Sequence, residues 1–328
     1  MIHIQHEYAQ FGRSLSVLLF PLLVGLLRFL HKPIVITLHG VIGKNEVTNS
    51  FSGQHFIKGL RPCIRYGFSF VNKCIGHLAN CLIVHEEHLK KILIEDYNVA
   101  RKKIEVIPHG VEIRKDIVGK EAASQALGVE GRRMLLFFGY LAGYKGLDIL
   151  IKAFQFLQKD QYVLFIAGGE PHHLADNPLY VKYLAHMKQT AQRISKHIIF
   201  TGFVPEEKIA VYFSAADLVI FPYPEMHAFS GPFCFVLSYK CPFLVSKAFA
   251  NFCGSPPELS FEYNAKSLAN KITEFFKSED FGVRAVEWIE KFKYPRLWSN
   301  VARHTMEVYA KLHSNTVRKY EWQREQVG

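Results

Sequence analysis

No Asp-x-Asp pair occurs anywhere in the 328 residues, so the chain lacks the carboxylate couple that commonly holds a divalent cation against phosphate oxygens. Metal independence is the expectation. The six cysteines, at 63, 74, 81, 234, 241 and 253, show no CxxC spacing and are too sparse for a secreted disulfide framework. A reducing cytoplasm is their simplest home. The uncharged stretch from Ser14 to Leu27 falls short of the ~20 residues a spanning helix needs, contains Pro21 and ends at Arg28. It follows a mixed, His-rich start and precedes no small-residue cleavage pattern, which argues against a signal peptide. Two readings of it stand: a buried core helix, or a segment lying on a membrane surface. Acid is the scarce charge, with 29 Asp plus Glu against 40 Lys plus Arg, a net of +11 and a pI near 9.2. Such a balance favours phosphates, nucleic acid or an anionic membrane surface as partners. The absence of zinc-finger spacing and of aromatic-basic RNA-binding motifs sets nucleic acid aside. No internal repeat or low-complexity tract is present.

What is present is material for large cores: 49% hydrophobic and 14% aromatic residues, in a length that suits two domains. Short Ile-, Val- and Phe-rich runs alternate with helical patterns, the signature of βαβ units and a parallel sheet, which predicts an α/β fold. Strands are expected at Ile2–Gln5, Ile34–Leu38, Cys81–Val84, Ile104–Ile107, Met134–Phe138, Val163–Ala167, Ile198–Thr201, Leu218–Phe221 and Phe243–Val245. After the fifth, Leu147, Leu150, Ile151, Phe154 and Leu157 recur at helical spacing, so one face of that helix is buried. Ligands of open α/β sheets bind beyond the carboxyl ends of the strands. Those ends read His6-Glu7, His39-Gly40, His85-Glu86 and His109-Gly110 in the first half, then Gly139-Tyr140, Gly168-Gly169 and Gly202-Phe203 in the second. The change from His-rich to Gly-rich ends falls around a charged segment at 112–132, which predicts a linker between domains spanning 1–118 and 119–295.

Two segments of the second half have chemistry suited to phosphate. Between a strand and a helix, Phe138-Gly-Tyr-Leu-Ala-Gly-Tyr-Lys-Gly146 combines small residues, which let a backbone approach a diphosphate, with the point charge of Lys145. An ordinary βα turn with a solvated lysine is the alternative. Further on, Glu225-Met-His-Ala-Phe-Ser-Gly-Pro232 precedes an apolar helical run, which places Ser230 and the amides around Gly231 at a helix N-terminus. A helix merely capped by serine is the alternative there.

Taken in order, Phe138 to Phe154, Ile166-Ala-Gly-Gly169, Thr201-Gly-Phe-Val-Pro-Glu-Glu207, Ala216-Asp-Leu-Val-Ile-Phe-Pro222 and the Ser-Gly-Pro loop resemble the nucleotide-sugar domain of retaining GT-B glycosyltransferases of the family four type. Upstream, His3-Ile-Gln-His-Glu-Tyr8, Thr37-Leu-His-Gly40 and Ile107-Pro-His-Gly-Val111 resemble the acceptor domain of the same family. The resemblance implies two Rossmann-like domains facing a cleft, with the segment 296–328, helical from Trp298 to Leu312, returning to the first. It implies donor binding by Gly139, Lys145, Gly168, Gly202, Phe203, Glu225, Ser230, Gly231 and Pro232, a catalytic-site role for His39, and acceptor-side positions at His6, Glu7 and His85. The activity implied is transfer of a sugar from a nucleotide-diphosphate sugar to a glycan, lipid-linked or envelope acceptor with retention of configuration, without metal or cofactor.

Three departures qualify the resemblance. Tyr140 stands where an arginine is common, and His227 and Phe235 stand where two glutamates eight positions apart are common, with Glu225 as a substitute for one acid. Relatives also carry three further strands before the one opening at Ile2, so the first domain is expected to be incomplete. Either a partner chain completes it, or the start is misplaced, or the form is inactive. A non-catalytic nucleotide-sugar-binding or scaffold subunit is therefore the competing function. The basic residues Lys58, Arg61, Arg65 and Lys73, interleaved with apolar ones, read either as a solvated helix face or as a peripheral contact with anionic lipid on the inner face of a membrane.

Overall fold

The structure, a computed structural model, describes residues 1–8, 15–57, 59–129 and 131–327, with side chains left out for 15–16 and 315–327. Lys58 and the side chains of the charged C-terminal tail thus lie outside the described residues. The first half runs β1 (Ile2–His6), α1 (Leu15–Leu27), β2 (Ile34–Leu38), α2 (Asn49–Gln54), α3 (Arg61–Leu78), β3 (Cys81–Val84), α4 (Glu87–Glu95) and β4 (Ile104–Val106). The second runs α5 (Lys120–Leu127), β5 (Arg133–Phe138), α6 (Leu147–Phe154), β6 (Tyr162–Ala167), α7 (Pro178–Ile194), β7 (Ile198–Gly202), α8 (Glu206–Ala215), β8 (Leu218–Phe221), α9 (Gly231–Tyr239), β9 (Phe243–Ser246), α10 (Lys247–Cys253) and β10 (Ser260–Phe261). Three helices close the chain: α11 (Ala265–Phe275), α12 (Asp280–Lys293) and α13 (Trp298–Val327).

Two all-parallel sheets result, one ordered β1-β2-β3-β4 and the other β10-β9-β8-β5-β6-β7. Strands covered on both faces read as unbroken apolar runs, and every residue of β2, β3, β6, β8 and β9 is buried. That is why nine strands are legible locally. The tenth, only two residues long beside Pro256 and Pro257, carries no apolar run of its own. In α6, Leu147, Leu150, Ile151 and Phe154 are all buried, as the spacing requires.

The stretch through α1 departs from a core helix. It buries Phe20, Pro21 and Val24 but leaves Leu18, Leu19, Leu22, Leu23 and Leu26 exposed. An uncharged run without polar punctuation cannot announce which face is covered, so only the tertiary packing revealed the open one.

The chain crosses back at its end. The main-chain N–H of Val111 donates to the Arg296 carbonyl at 2.7 Å, and α13 lays Val301, Val308, Tyr309 and Leu312 against Val35, Cys81, Ile83 and Ile107 of the first sheet. Lys311 and Glu105 pair at 2.9 Å on the rim of that contact. The crossing depends on a missing side chain: a Cβ at Gly110 would stand 2.4 Å from the Trp298 ring. Gly110→Ala is expected to push Trp298 off its seat at a cost of about 1–3 kcal/mol, lowering the melting temperature by roughly 2–6 °C in a thermal-shift assay. An unchanged melting temperature would mean that the ring is not held there.

Candidate functional site

Both sheets present the carboxyl ends of their strands to a common cleft, where the loops of the two halves meet. Gly40 and Ala228 form an antiparallel bridge, and the Val41 N–H donates to the His227 carbonyl at 3.0 Å. Beside the bridge, the His55 ring stacks on Tyr144 with centroids 4.7 Å apart and planes at 7°. Phe56 packs edge-on against Tyr180 and lies 5.6 Å from the Tyr183 ring. The segment through α2 therefore lies on the turn that carries Lys145.

On the second-half side, three glycine-ended strands and one helix start converge. A Cβ built at Gly168 would lie 1.9 Å from the Gly139 carbonyl oxygen, so β5 and β6 end in backbone packed on backbone, which only glycine permits. A Cβ at Gly139 would lie 2.8 Å from Lys145 Nζ and 2.7 Å from Pro232 Cγ, which places the lysine head at the first turn of α9. The carbonyl of Gly202, which ends β7, accepts from the Gly168 N–H at 3.0 Å. Beyond it Phe203 stands 72% exposed beside Gly169, with an open ring face.

Lys145 is 6% exposed. Its Nζ has no hydrogen-bond or ion-pair partner among the described residues, and burial alone pulls its pKa down to about 8. The nearest stabilising group is the Tyr223 ring, 5.5 Å away. Ser230 occupies the N-cap of α9 without capping it, because its hydroxyl is engaged with the Tyr223 hydroxyl at 3.3 Å. A simple serine cap is thus not what the position supplies. Pro232 has no N–H and that of Phe233 donates to the Ser230 carbonyl at 3.0 Å, so the Gly231 N–H at the start of α9 and an uncompensated ammonium face one small volume, and that combination attracts an anion.

On the first-half side a histidine row occupies the ends of β2, β3 and β4. His85 Nδ1 lies 2.9 Å from the Ile107 carbonyl, which only accepts, so His85 carries its proton there. Burial, opposed by that hydrogen bond, holds the His85 pKa at about 4, so the ring is neutral and accepts at Nε2. His39 Nδ1, 3.2 Å away, is then the donor, and His39 Nε2 lies 2.9 Å from Gln5 Oε1, so a neutral His39 is satisfied there only when the Gln5 amide turns its NH2 group toward it. Burial, with help from His109, lowers the His39 pKa too. A neutral His39 held at the cleft between His85 and Gln5 is the outcome.

His6 and Glu7 part company. His6 is 1% exposed, closed in by Phe20 at 4.3 Å and Tyr8 at 5.4 Å between ring centroids, so an acceptor cannot reach it in this arrangement. Glu7 is exposed. The pattern His-Glu does not show which member of a strand-end pair turns inward.

The residue that local reading missed is Glu46. It accepts from the Gly43 N–H at 2.7 Å and from His227 Nδ1 at 2.9 Å, while Glu225 Oε2 approaches His227 Nε2 at 3.4 Å. Burial opposes the imidazolium, but the hydrogen bonds and charges of Glu225 and Glu46 outweigh it and lift the His227 pKa to about 9. Burial likewise opposes the Glu46 carboxylate, and His227, His88 and the Gly43 amide together bring it down to about 2. His227 is thus a cation bridging the halves, and Glu225 is its partner. Its one sequence signal is isolation, since Glu46 is the sole acid between Glu7 and Glu86. Phe235 packs among Phe138 and Phe213, with ring centroids 5.6 and 5.5 Å away, in place of a carboxylate. Tyr140 is 46% exposed. Among the described residues no group of three or more His, Cys, Asp or Glu is arranged to hold a metal ion.

Two facing parallel-sheet halves with a cleft between their strand ends define the class: the fold is that of the GT-B glycosyltransferases. More particularly, residues 132–278 match the family model for Glycosyl transferases group 1, and residues 15–115 match that for Glycosyltransferase Family 4. Among curated proteins, the chain is 26% identical over 225 residues to mannosylfructose-phosphate synthase of Agrobacterium fabrum, covering 65% of this chain and 45% of that protein. A putative glycosyltransferase, YtcC of Bacillus subtilis, is 29% identical over 144 residues, covering 41% of this chain and 35% of its own length. The chain thus spans less than half the length of both. Among solved structures, sucrose-phosphate synthase of Thermosynechococcus elongatus superposes with a TM-score of 0.74 at 19% identity, over 96% of this chain and 74% of its own. HepE of Anabaena, in complex with UDP and glucose, gives 0.70 at 16% identity, over 95% and 77%.

Proposed function

We propose that this protein transfers a glycosyl group from a nucleotide-diphosphate sugar, and that the buried, partnerless Lys145 aimed at the start of α9 is the observation that carries the reading. An ammonium buried with no charged partner among the described residues favours an anion, and a diphosphate supplies one that also uses the Gly231 N–H at the start of α9. During transfer the bond from the anomeric carbon to the phosphate oxygen breaks as one forms to an acceptor hydroxyl oxygen, charge develops on the leaving diphosphate, and the hydroxyl proton passes to that diphosphate. Lys145 and the Gly231 N–H would stabilise that charge. Phe203 offers a surface for the base, and His39 Nε2, exchanging Gln5 for substrate, hydrogen-bonds a hydroxyl on the sugar or acceptor. With Phe235 in the aromatic core, ribose recognition falls to backbone groups near Gly202.

The resemblance of the ordered motifs supports retention of configuration and a glycan or lipid-linked acceptor, and the charge supplied by Lys145 and α9 supports a reaction without metal. A thermal-shift screen of nucleotide sugars tests binding. At ligand concentrations near 100 times Kd, stabilisation of about 2.7 kcal/mol is expected for the right donor. His39→Ala is expected to keep that shift while turnover falls by about 100-fold or more, with EDTA leaving wild-type turnover unchanged. Donor binding without turnover by the wild type, in the presence of acceptor extracts, would instead establish the non-catalytic subunit. No shift with any donor would remove the site assignment itself.

A further inference from the structure

The exposed side of α1 and α3 has no use in the cleft chemistry. Along α1 the outward positions include Leu19, Leu22 and Leu26, continued by Phe29, which is 77% exposed. The neighbouring helix α3 adds Tyr66 and Phe70. The two helices lie side by side, since a Cβ at Gly67 would sit 3.4 Å from Leu18 Cδ2, and Arg28 at the end of α1 reaches Asn80, just past α3, at 3.0 Å. Their apolar residues therefore form one face rather than scattered points. Contiguous faces of this kind mark interaction surfaces.

Charge selects the partner. Residues 15–80 contain seven Lys and Arg against one acid, Glu46, a net of +6 out of +11 for the whole chain. That one acid is turned inward onto His227. Arg28, Arg61, Arg65 and Lys73 are exposed around the apolar face. A second copy of the chain would bring two such positive faces together, which like-charge repulsion opposes. An anionic surface with an apolar interior satisfies both features at once.

We propose that the α1–α3 face rests on an anionic lipid bilayer, with the leucine and aromatic side chains in the headgroup–acyl boundary and the flanking cations on lipid phosphates. No described helix is long and apolar enough to cross a membrane, so the contact is interfacial. Helices following parallel strands begin at the carboxyl ends of those strands, and so α1, with the α2–α3 segment, starts at the cleft. On the glycosyl-transfer reading, which the bilayer contact itself does not require, a lipid-borne acceptor would enter beside His39 and Glu7 without leaving the membrane.

Co-sedimentation of the full chain with vesicles tests this. Phosphatidylcholine mixed with phosphatidylglycerol is expected to pellet the protein, phosphatidylcholine alone to leave it in solution, and high salt to release it. Arg61→Gln/Arg65→Gln/Lys73→Gln is expected to weaken partitioning by on the order of 100-fold, and Leu22→Gln/Leu26→Gln by about 10-fold or more. Both variants should keep the wild-type melting temperature and donor-induced shift, because these side chains are already in water. The proposal is overturned if the protein ignores anionic vesicles, or if both variants bind like wild type. It is equally overturned if light scattering shows a lipid-free dimer that the leucine variant dissociates. Donor stabilisation measured without lipid keeps this outcome separate from that of the proposed activity.

Discussion

Replacing Lys145 with methionine is expected to raise the melting temperature of the empty protein while abolishing its stabilisation by nucleotide-diphosphate sugars. The two effects have one cause. Burial without a carboxylate partner lowers the ammonium pKa from 10.5 to about 8, so the folded state holds its charge less favourably than the unfolded chain does. That gap corresponds to roughly 3 kcal/mol of lost stability. The sign follows from linkage: the cost is full below about pH 8, shrinks as pH rises, and is gone above about 10.5. Methionine, similar in length and uncharged, removes the cost, and at about 2 °C per kcal/mol the gain at pH 7 is on the order of 6 °C. The same substitution removes the cation that a diphosphate needs, so the donor-dependent shift disappears. In the wild type, donor affinity should also weaken as pH passes 8 and the empty site deprotonates. A structural lysine would give the reverse pattern, with a lower melting temperature in the variant and an unchanged donor shift.

The second large effect lies across the cleft. His227→Gln is expected to cost about 3–5 kcal/mol at pH 6, because it leaves Glu46 and Glu225 without their cation. The pH dependence gives the sharper test. The folded pKa of His227 is raised, from 6.5 to about 9, so its stabilisation is complete below 6.5 and lost as pH rises through 9. Glu46 is depressed, from 4.5 to about 2, so its share is present above 4.5 and lost as pH falls through 2. Both are intact only between about pH 4.5 and 6.5. Urea denaturation at pH 6 and at pH 9.5 should therefore show the gap between wild type and variant narrowing by roughly 3 kcal/mol. A constant gap would mean that His227 does not carry the charge. Because Lys145 titrates in the opposite sense over the upper part of this range, the comparison must be between variant and wild type.

The histidine at 227 also shows how an unfavourable substitution in the motif was absorbed. By itself it reads as a lost carboxylate. In the structure the acid is supplied from 181 positions away, by the loop after β2, and the cation joins the halves of the cleft. Lys145 and Ser230 behaved differently. Their place at the end of a strand and the start of a helix is local, so the sequence pattern located them, although the uncapped state of α9 and the missing counterion became visible only in three dimensions.

By itself the sequence determined the alternation of strand and helix, the two-sheet α/β class and the Gly-rich turns at the strand ends, since each depends on a buried run or a backbone constraint within a few residues. The tertiary structure decided that α1 turns its leucines outward and that His6 is sealed while Glu7 is open. It alone joined Glu46 to His227, and it left Lys145 without a carboxylate among the described residues. These depend on which surfaces distant segments cover, and an apolar or charged side chain carries no record of its eventual neighbour.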